Sequence, residues 1–255
     1  MSGELVHTRR VRDLDVLVLD SPHNRNAMSI RLLDELLDGV AASAAGDGRG
    51  LLLEHTGPVF CAGVDLRERR TLGPGDHTHT ALLARLLAQL WSYPKPVLCR
   101  IDGPVRGGGM GLVACADIAV ASSTANFAYS EVRVGVAPVL VAAVAAAKVP
   151  LGPLLPWLLT GESFDAHTAH RLGLVTRVAD PAEGSAPDAE ITALLQSGPH
   201  AVQAMKRLAR RLQATDLDAA LTELQSLSAA LFASPEAQEG MAAFSQRRAP
   251  SWRRS

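Results

Sequence analysis

Three consecutive glycines, Gly107, Gly108 and Gly109, stand in the stretch PVRGGGMGL at residues 104–112, between an apolar run and a run that reads as a helix. Glycine is a poor filler of either element because ordering it costs backbone entropy. A triplet therefore marks a place where the backbone must come close to something. A glycine-rich turn at a helix N-terminus exposes N–H groups, and the helix dipole favours negative charge there. Phosphate binding is one use, but the stretch is not GxxxxGK[ST], and no acidic residue stands at the distance that dinucleotide binding needs. The other use is an oxyanion hole, in which N–H groups stabilise charge developing on a carbonyl oxygen. Such a hole needs a second N–H from another loop, and FCAGVDL at 60–66 offers one at Val64, where Gly63 allows a tight backbone. A plain packing turn would also use glycines, and the triplet by itself leaves both readings open.

The elements that position these loops follow from periodicity. Residues 4–10 and 15–20 (DVLVLD) predict two strands joined by a polar turn at Arg12–Leu14. Ser29 can cap a helix on which Ile30, Leu33, Leu36, Leu37 and Val40 recur at helical spacing. LLLEH (51–55), KPVLCRIDG (95–103) and DIAVAS (117–122) predict strands, and VFCAGVDL (59–66) a further apolar element. Residues 80–92 carry Leu82, Leu83, Leu86, Leu87 and Leu90 on one helical face, MGLVACA is a short buried helix, and NFAYSEVRVGVAP holds a strand and a turn. Alternation of this kind implies an α/β core. The last third differs: LLPWLLTG, DAHTAHRLGL, DAEITALLQ, PHAVQAMKRLARRL and DLDAALTELQSLSAALF are helix-like, with TRVAD as the one possible strand. Prolines at 150, 153 and 156 should interrupt any helix there.

Composition narrows the function classes. The chain has 255 residues, 47% of them apolar, enough for a real core. Twenty-five basic side chains against 26 acidic ones give no footprint of nucleic-acid binding. Cys61, Cys99 and Cys115 form no CxxC pair and read as reduced, buried residues. The polar start MSGELVHTRR is no signal peptide, and the longest apolar run, at 137–147, is too short to span a bilayer. A soluble cytoplasmic protein without membrane contact is expected. His77, His79, His167 and His170 match no standard metal spacing, and the polar loop around 75–79 is expected to be solvent-exposed.

Taken together, FCAGVDLRE (60–68), IDGPVRGGGMGLVACADIAVAS (101–122), FAYSEVRVGVAP (127–138) and LLTGESFDAHTAHRLGLVTRV (158–178) occur in an order that resembles the enoyl-CoA hydratase/isomerase superfamily, from about Leu5 to the closing FSQRRAPSW. The resemblance implies a crotonase-type spiral of repeated ββα units over 1–195 and a C-terminal helical trimerisation region over 196–255. It implies an acyl-CoA thioester whose oxygen is held by the N–H groups of Val64 and Gly108, with CoA as part of the substrate and no separate cofactor or metal. Candidate substrate and CoA contacts are Ala62, Asp65, Leu66, Gly107, Gly111, Arg25, Arg247 and Arg248. Homotrimers or hexamers are the family's assemblies.

One family feature is missing. Dedicated hydratases of the family carry a glutamate two residues after the triplet, where this chain has Gly111; the absent side chain would leave space for the substrate. The second carboxylate position is filled by Glu131, and the position of an aspartate nucleophile in dehalogenase-like members is Val139. A single carboxylate in an apolar pocket suits proton transfer near neutral pH. Glu131 could deprotonate water for attack at C3 of a (possibly branched) 2-enoyl-CoA and pass that proton to C2, the hydratase reading. It could instead move a proton from C2 to C4 of a 3-enoyl-CoA, the isomerase reading. A silent acyl-CoA binder, with Glu131 merely paired to Arg133, is the alternative outside enzymology.

Overall fold

The computed structural model describes residues 3–72, 76–180, 186–212 and 235–252, so the predicted helix DLDAALTELQSLSAALF lies outside the described residues. Strands β1 (Val6–Val11) and β2 (Leu14–Leu19) form an antiparallel hairpin that turns through Arg12 at a φ of 55°. β1 is an edge strand with its middle exposed, and basic side chains there discourage further strand addition. β3 (Leu51–His55), β4 (Val97–Ile101), β6 (Ile118–Ser122) and β9 (Arg177–Ala179) extend the sheet in parallel, in the order β1-β2-β3-β4-β6-β9. Their near-continuous apolar runs fit strands covered on both faces. A smaller sheet joins β5 (Val105–Arg106), β7 (Asn126–Ala128) and β8 (Phe164–Asp165).

Helix α1 (Ile30–Ala45) starts where Ser29 Oγ accepts from the Leu32 amide at 3.1 Å, and it buries Leu32, Leu33, Leu36, Leu37 and Val40. α2 (Leu66–Thr71) is a short charged helix that periodicity does not reveal. α3 (Thr78–Trp91) begins two residues earlier than predicted and buries Leu83, Leu86, Leu87 and Leu90, with Leu82 only partly covered. α4 (Gly108–Cys115) is buried along its whole length. The ammonium of Lys148 donates to the carbonyls of Val113, Ala116 and Leu174 at 2.8–3.2 Å, fixing the C-terminal end of α4 with positive charge where the helix dipole favours it.

The three prolines interrupt the chain only once. α5 (Val139–Lys148) stops before Pro150, but α6 (Leu151–Thr160) runs on through Pro156. Pro153 lies in the first turn of α6, where an N–H has no helical partner to lose. Pro156 forfeits one bond to the carbonyl of Gly152, and the rest of the helix holds.

The chain divides into two compact units, Met1–Tyr93 with Val97–Pro187, and Pro94–Pro96 with Asp188–Ser255. The first also holds α7 (Ala166–Arg171). The second holds α8 (Asp188–Gln196), α9 (Pro199–Leu212) and α10 (Pro235–Ser245), and Glu236 of α10 accepts from the amides of His200 and Ala201 at the start of α9. No described helix is long and apolar enough to cross a membrane.

Candidate active site

The segment 61–64 is not a strand. Two isolated parallel bridges hold it, one from Cys61 to Val105 and one from Met28 to Val64. In a parallel bridge one residue supplies both its N–H and its C=O. Here Met28 donates to Gly63 O at 2.7 Å and accepts from Asp65 N at 3.1 Å, so the N–H of Val64 stays outside the pairing. Gly108 opens α4, and the first N–H groups of a helix have no partner within it. The N–H of Val64 thus lies outside the bridge and that of Gly108 in the first turn of α4.

Each glycine of the triplet has its own reason. Gly107 has a φ of 49°, and a Cβ on it would stand 3.3 Å from both Gly63 Cα and Glu131 Oε1. Gly63, at a φ of 89°, faces it without a side chain. A Cβ on Gly108 would fall 2.5 Å from Met28 Sδ, and one on Gly109 2.7 Å from Cys61 Cβ. The triplet lets α4 begin directly against the 61–64 segment. Close packing at each position accounts for the glycines.

Glu131 sits in the 3-10 turn Ser130–Val134, beside Gly107. Its Oε2 is buried with no hydrogen-bond partner, and it joins no ion pair among the described residues. Arg133, the alternative partner, turns instead to Thr160 O at 3.3 Å and to Glu162 at 3.9 Å. Burial pushes the Glu131 carboxyl above the usual carboxylate range, since it disfavours the charged form. The neighbouring Tyr129 hydroxyl, also buried without a partner, is pushed up by burial and then by the Glu131 charge.

Glu131 and Val64 line one cavity of about 260 Å³, whose wall is mainly apolar and includes Leu66, Leu83, Val136, Val139 and Val141. Sites for drug-sized ligands run from ~300 Å³ upward, so this cavity is sized for a small group rather than for a large ligand as a whole. His79 also lines it. Far from being solvent-exposed, its side chain is 3% exposed, and its Nε2 lies 2.9 Å from Glu68 Oε2. Glu68 Oε2 also accepts from the Ile30 amide at 2.8 Å, while His79 Nδ1 is buried with no partner. Sequence reasoning missed this pair. The signal is present in retrospect: His79 falls four, seven, eight and eleven residues before the buried Leu83, Leu86, Leu87 and Leu90, on their face of α3. DLRE at 65–68 likewise has the spacing of an N-cap and its third helical residue.

The other predicted positions divide. Leu66 lines the cavity, half-exposed. Ala62 is held through its amide by Arg25 O at 3.1 Å, and Arg25 itself is exposed at a φ of 62°. Asp65 is occupied by the fold: it accepts from the amides of Arg67 and Glu68 as the cap of α2, and from Asn24 Nδ2 at 3.0 Å. Asn26 is a buried clamp, accepting from Ser21 N and donating to Thr56 O and Val59 O. Gly111 opens no space for substrate. A Cβ there would meet Leu87 Cδ2 at 2.7 Å and Val141 Cγ1 at 3.2 Å, so core side chains fill the place of the missing glutamate. Arg247 and Arg248 lie in the second unit; Arg247 is exposed, and Arg248 grips Glu239 with two bonds of 2.6 and 2.8 Å.

Known proteins resemble this chain over most of its length. A family model described as enoyl-CoA hydratase/isomerase matches residues 12–255. The chain is 30% identical over 258 residues to the mouse protein named enoyl-CoA hydratase domain-containing protein 3, mitochondrial, covering 97% of this chain and 84% of that one. Among solved structures, an enoyl-CoA hydratase from Mycobacterium smegmatis superposes with a TM-score of 0.92 at 30% identity, over 99% of this chain and 100% of the other. Human enoyl-CoA hydratase domain-containing protein 3 follows at 0.90 and 28%, over 97% and 100%.

Proposed function

Since the chain belongs to the enoyl-CoA hydratase/isomerase family and has its crotonase fold, we propose that it is an enzyme adding water across the 2,3 double bond of a 2-enoyl-CoA. The observation that carries the reading is Glu131: a half-buried carboxylate whose Oε2 is buried without a partner and which joins no ion pair among the described residues, beside Gly107, in the same cavity as Val64. The amides of Val64 and Gly108 hold the thioester oxygen as the enolate forms; one such donor is typically worth ~3–4 kcal/mol of barrier. Glu131 moves the proton at C2. Its burial favours the protonated carboxyl that this step consumes. The acyl group lies in the apolar cavity, and the bulk of CoA stays outside.

Isomerisation of a 3-enoyl-CoA is the second reading, favoured by the one feature that Gly111 supplies no second carboxylate. The names of the relatives support hydration. Assembly as a homotrimer or hexamer in the cytoplasm belongs to the same proposal.

The test is mass spectrometry of straight and branched 2-enoyl-CoAs and a 3-enoyl-CoA after incubation in deuterated water, with wild type and Glu131→Gln side by side. A product heavier by one water, reduced on the order of 100-fold or more in the variant, is the expected result. Interconversion of double-bond isomers without added water makes the protein an isomerase. Binding without any product leaves a silent acyl-CoA binder.

A further inference from the structure

The lining of the cavity holds a second titratable side chain besides Glu131, that of His79. Hydration needs two proton movements: one proton leaves water as its oxygen attacks C3, and one arrives at C2. In the family pattern a glutamate at the Gly111 position shares this work, and here Leu87 and Val141 occupy that place. His79 lines the cavity from the α3 side, and Glu131 lines it from the 3-10 turn. The ring is almost wholly buried, yet Nδ1 has no partner. A buried polar nitrogen without a partner is costly in a folded chain and calls for an explanation. Glu68 fixes the ring from the other side by accepting from Nε2, and Glu68 is itself fixed by the Ile30 amide. A carboxylate that accepts from one ring nitrogen sets the tautomer and leaves the other as the proton acceptor.

We propose that His79, oriented by Glu68, is the second catalytic residue of the hydration: Nδ1 takes the proton of the attacking water while Glu131 protonates C2. The water O–H bond breaks toward Nδ1, and the oxygen bonds C3. The C2=C3 π pair moves into the thioester enolate held by Val64 and Gly108. The carboxyl proton of Glu131 then forms the C2–H bond. The imidazolium and the carboxylate left behind restore their starting states by exchanging one proton through solvent, so no other reactant is consumed. His79 is the catalytic group and Glu68 a positioning residue.

The inference rests on the hydratase reading, and the experiment separates the two. Wild type, His79→Gln, Glu68→Gln and Glu131→Gln are compared in two assays: hydration of but-2-enoyl-CoA, and C2 hydrogen–deuterium exchange of saturated butanoyl-CoA in deuterated water. Exchange needs the oxyanion hole and Glu131 but no attacking water. His79→Gln is expected to lose hydration on the order of 100-fold or more with exchange within a few-fold of wild type. Glu68→Gln is expected to lose hydration less steeply, also with exchange intact, and Glu131→Gln to lose both. Hydration within a few-fold of wild type in His79→Gln overturns the proposal. Parallel loss of both activities in His79→Gln overturns it too, as the mark of a structural role. If His79→Gln does not fold, Glu68→Gln decides: unchanged hydration overturns the assignment, and selective loss supports it. Wild type that exchanges at C2 but hydrates nothing removes the hydratase reading itself, and with it the role of His79.

Discussion

Glu131 is where function and stability pull in opposite directions. Burial raises its pKa in the folded chain above that of an ordinary glutamate. The stability this group contributes is therefore fully present below the unfolded-state value of ~4.3 and is lost as pH rises through the folded-state value. Glu131→Gln removes that loss, so thermal unfolding should show a higher Tm than wild type above the folded pKa and converge with it in acid. An equal or lower Tm at neutral pH would mean that the carboxylate has a stabilising partner. Activity follows the same titration. C2 exchange of butanoyl-CoA uses the carboxylate as base, so its rate should climb with pH and level off above the raised pKa. An inflection at or below ~4.3 would contradict the burial argument. Gly111 supplies a second residue-scale prediction. Alanine is the better helix former by about 0.5–1 kcal/mol, but a methyl group there meets Leu87 and Val141, and overpacking costs ~1–3 kcal/mol. Gly111→Ala should lower the urea midpoint; a neutral or stabilising result would show that Leu87 moves aside freely.

At the scale of elements, α2 shows how a six-residue helix can matter more than its length suggests. Asp65 caps it, and the helix carries Glu68 to both His79 and the first turn of α1. Asp65→Ala should cost ~0.5–2 kcal/mol of stability as a lost cap and lower kcat for hydration with little change in KM. A rise in KM with stability unchanged would restore Asp65 as a CoA contact. The strands and long helices were legible in the sequence because burial on two faces or on one stripe writes itself into apolar runs such as LLLEH and the Leu83–Leu90 face. α2 was not, because a helix of RERR-type residues buries too little to leave a period. His79 was hidden for a related reason. It stands among polar residues of HTHT, and only the phase of α3, extended one turn back, places it with the buried leucines. The glycine triplet was legible as a site of close approach. What approaches each glycine, Met28 for Gly108 and Cys61 for Gly109, is set by two bridges between segments more than thirty residues apart, which no local pattern encodes.

The first compact unit as a whole can be probed through its cysteines. Cys61, Cys99 and Cys115 are all buried, on the 61–64 segment, on β4 and at the end of α4. Burial pushes the thiols of Cys61 and Cys99 up to about 12. The thiolate is the reactive form, so exclusion from solvent and suppressed ionisation act together, and a disulfide reagent reaches these thiols only when the core opens. Labelling with Ellman's reagent at pH 8 should therefore be slow in the native protein and accelerate with urea along the unfolding curve, the three thiols together. A ligand that binds only the folded state reduces the open population by a factor of 1 + [L]/Kd. Butanoyl-CoA should then slow all three thiols by one common factor, and that factor measures its Kd without any turnover. The silent-binder reading and the enzyme reading both expect this protection, and only the enzyme reading also expects C2 exchange. Fast labelling of Cys61 alone would mean that the 61–64 segment opens independently of β4 and α4. The N–H of Val64 would then not be held in place before substrate arrives, and the oxyanion hole would have to assemble around the thioester at a cost to the rate.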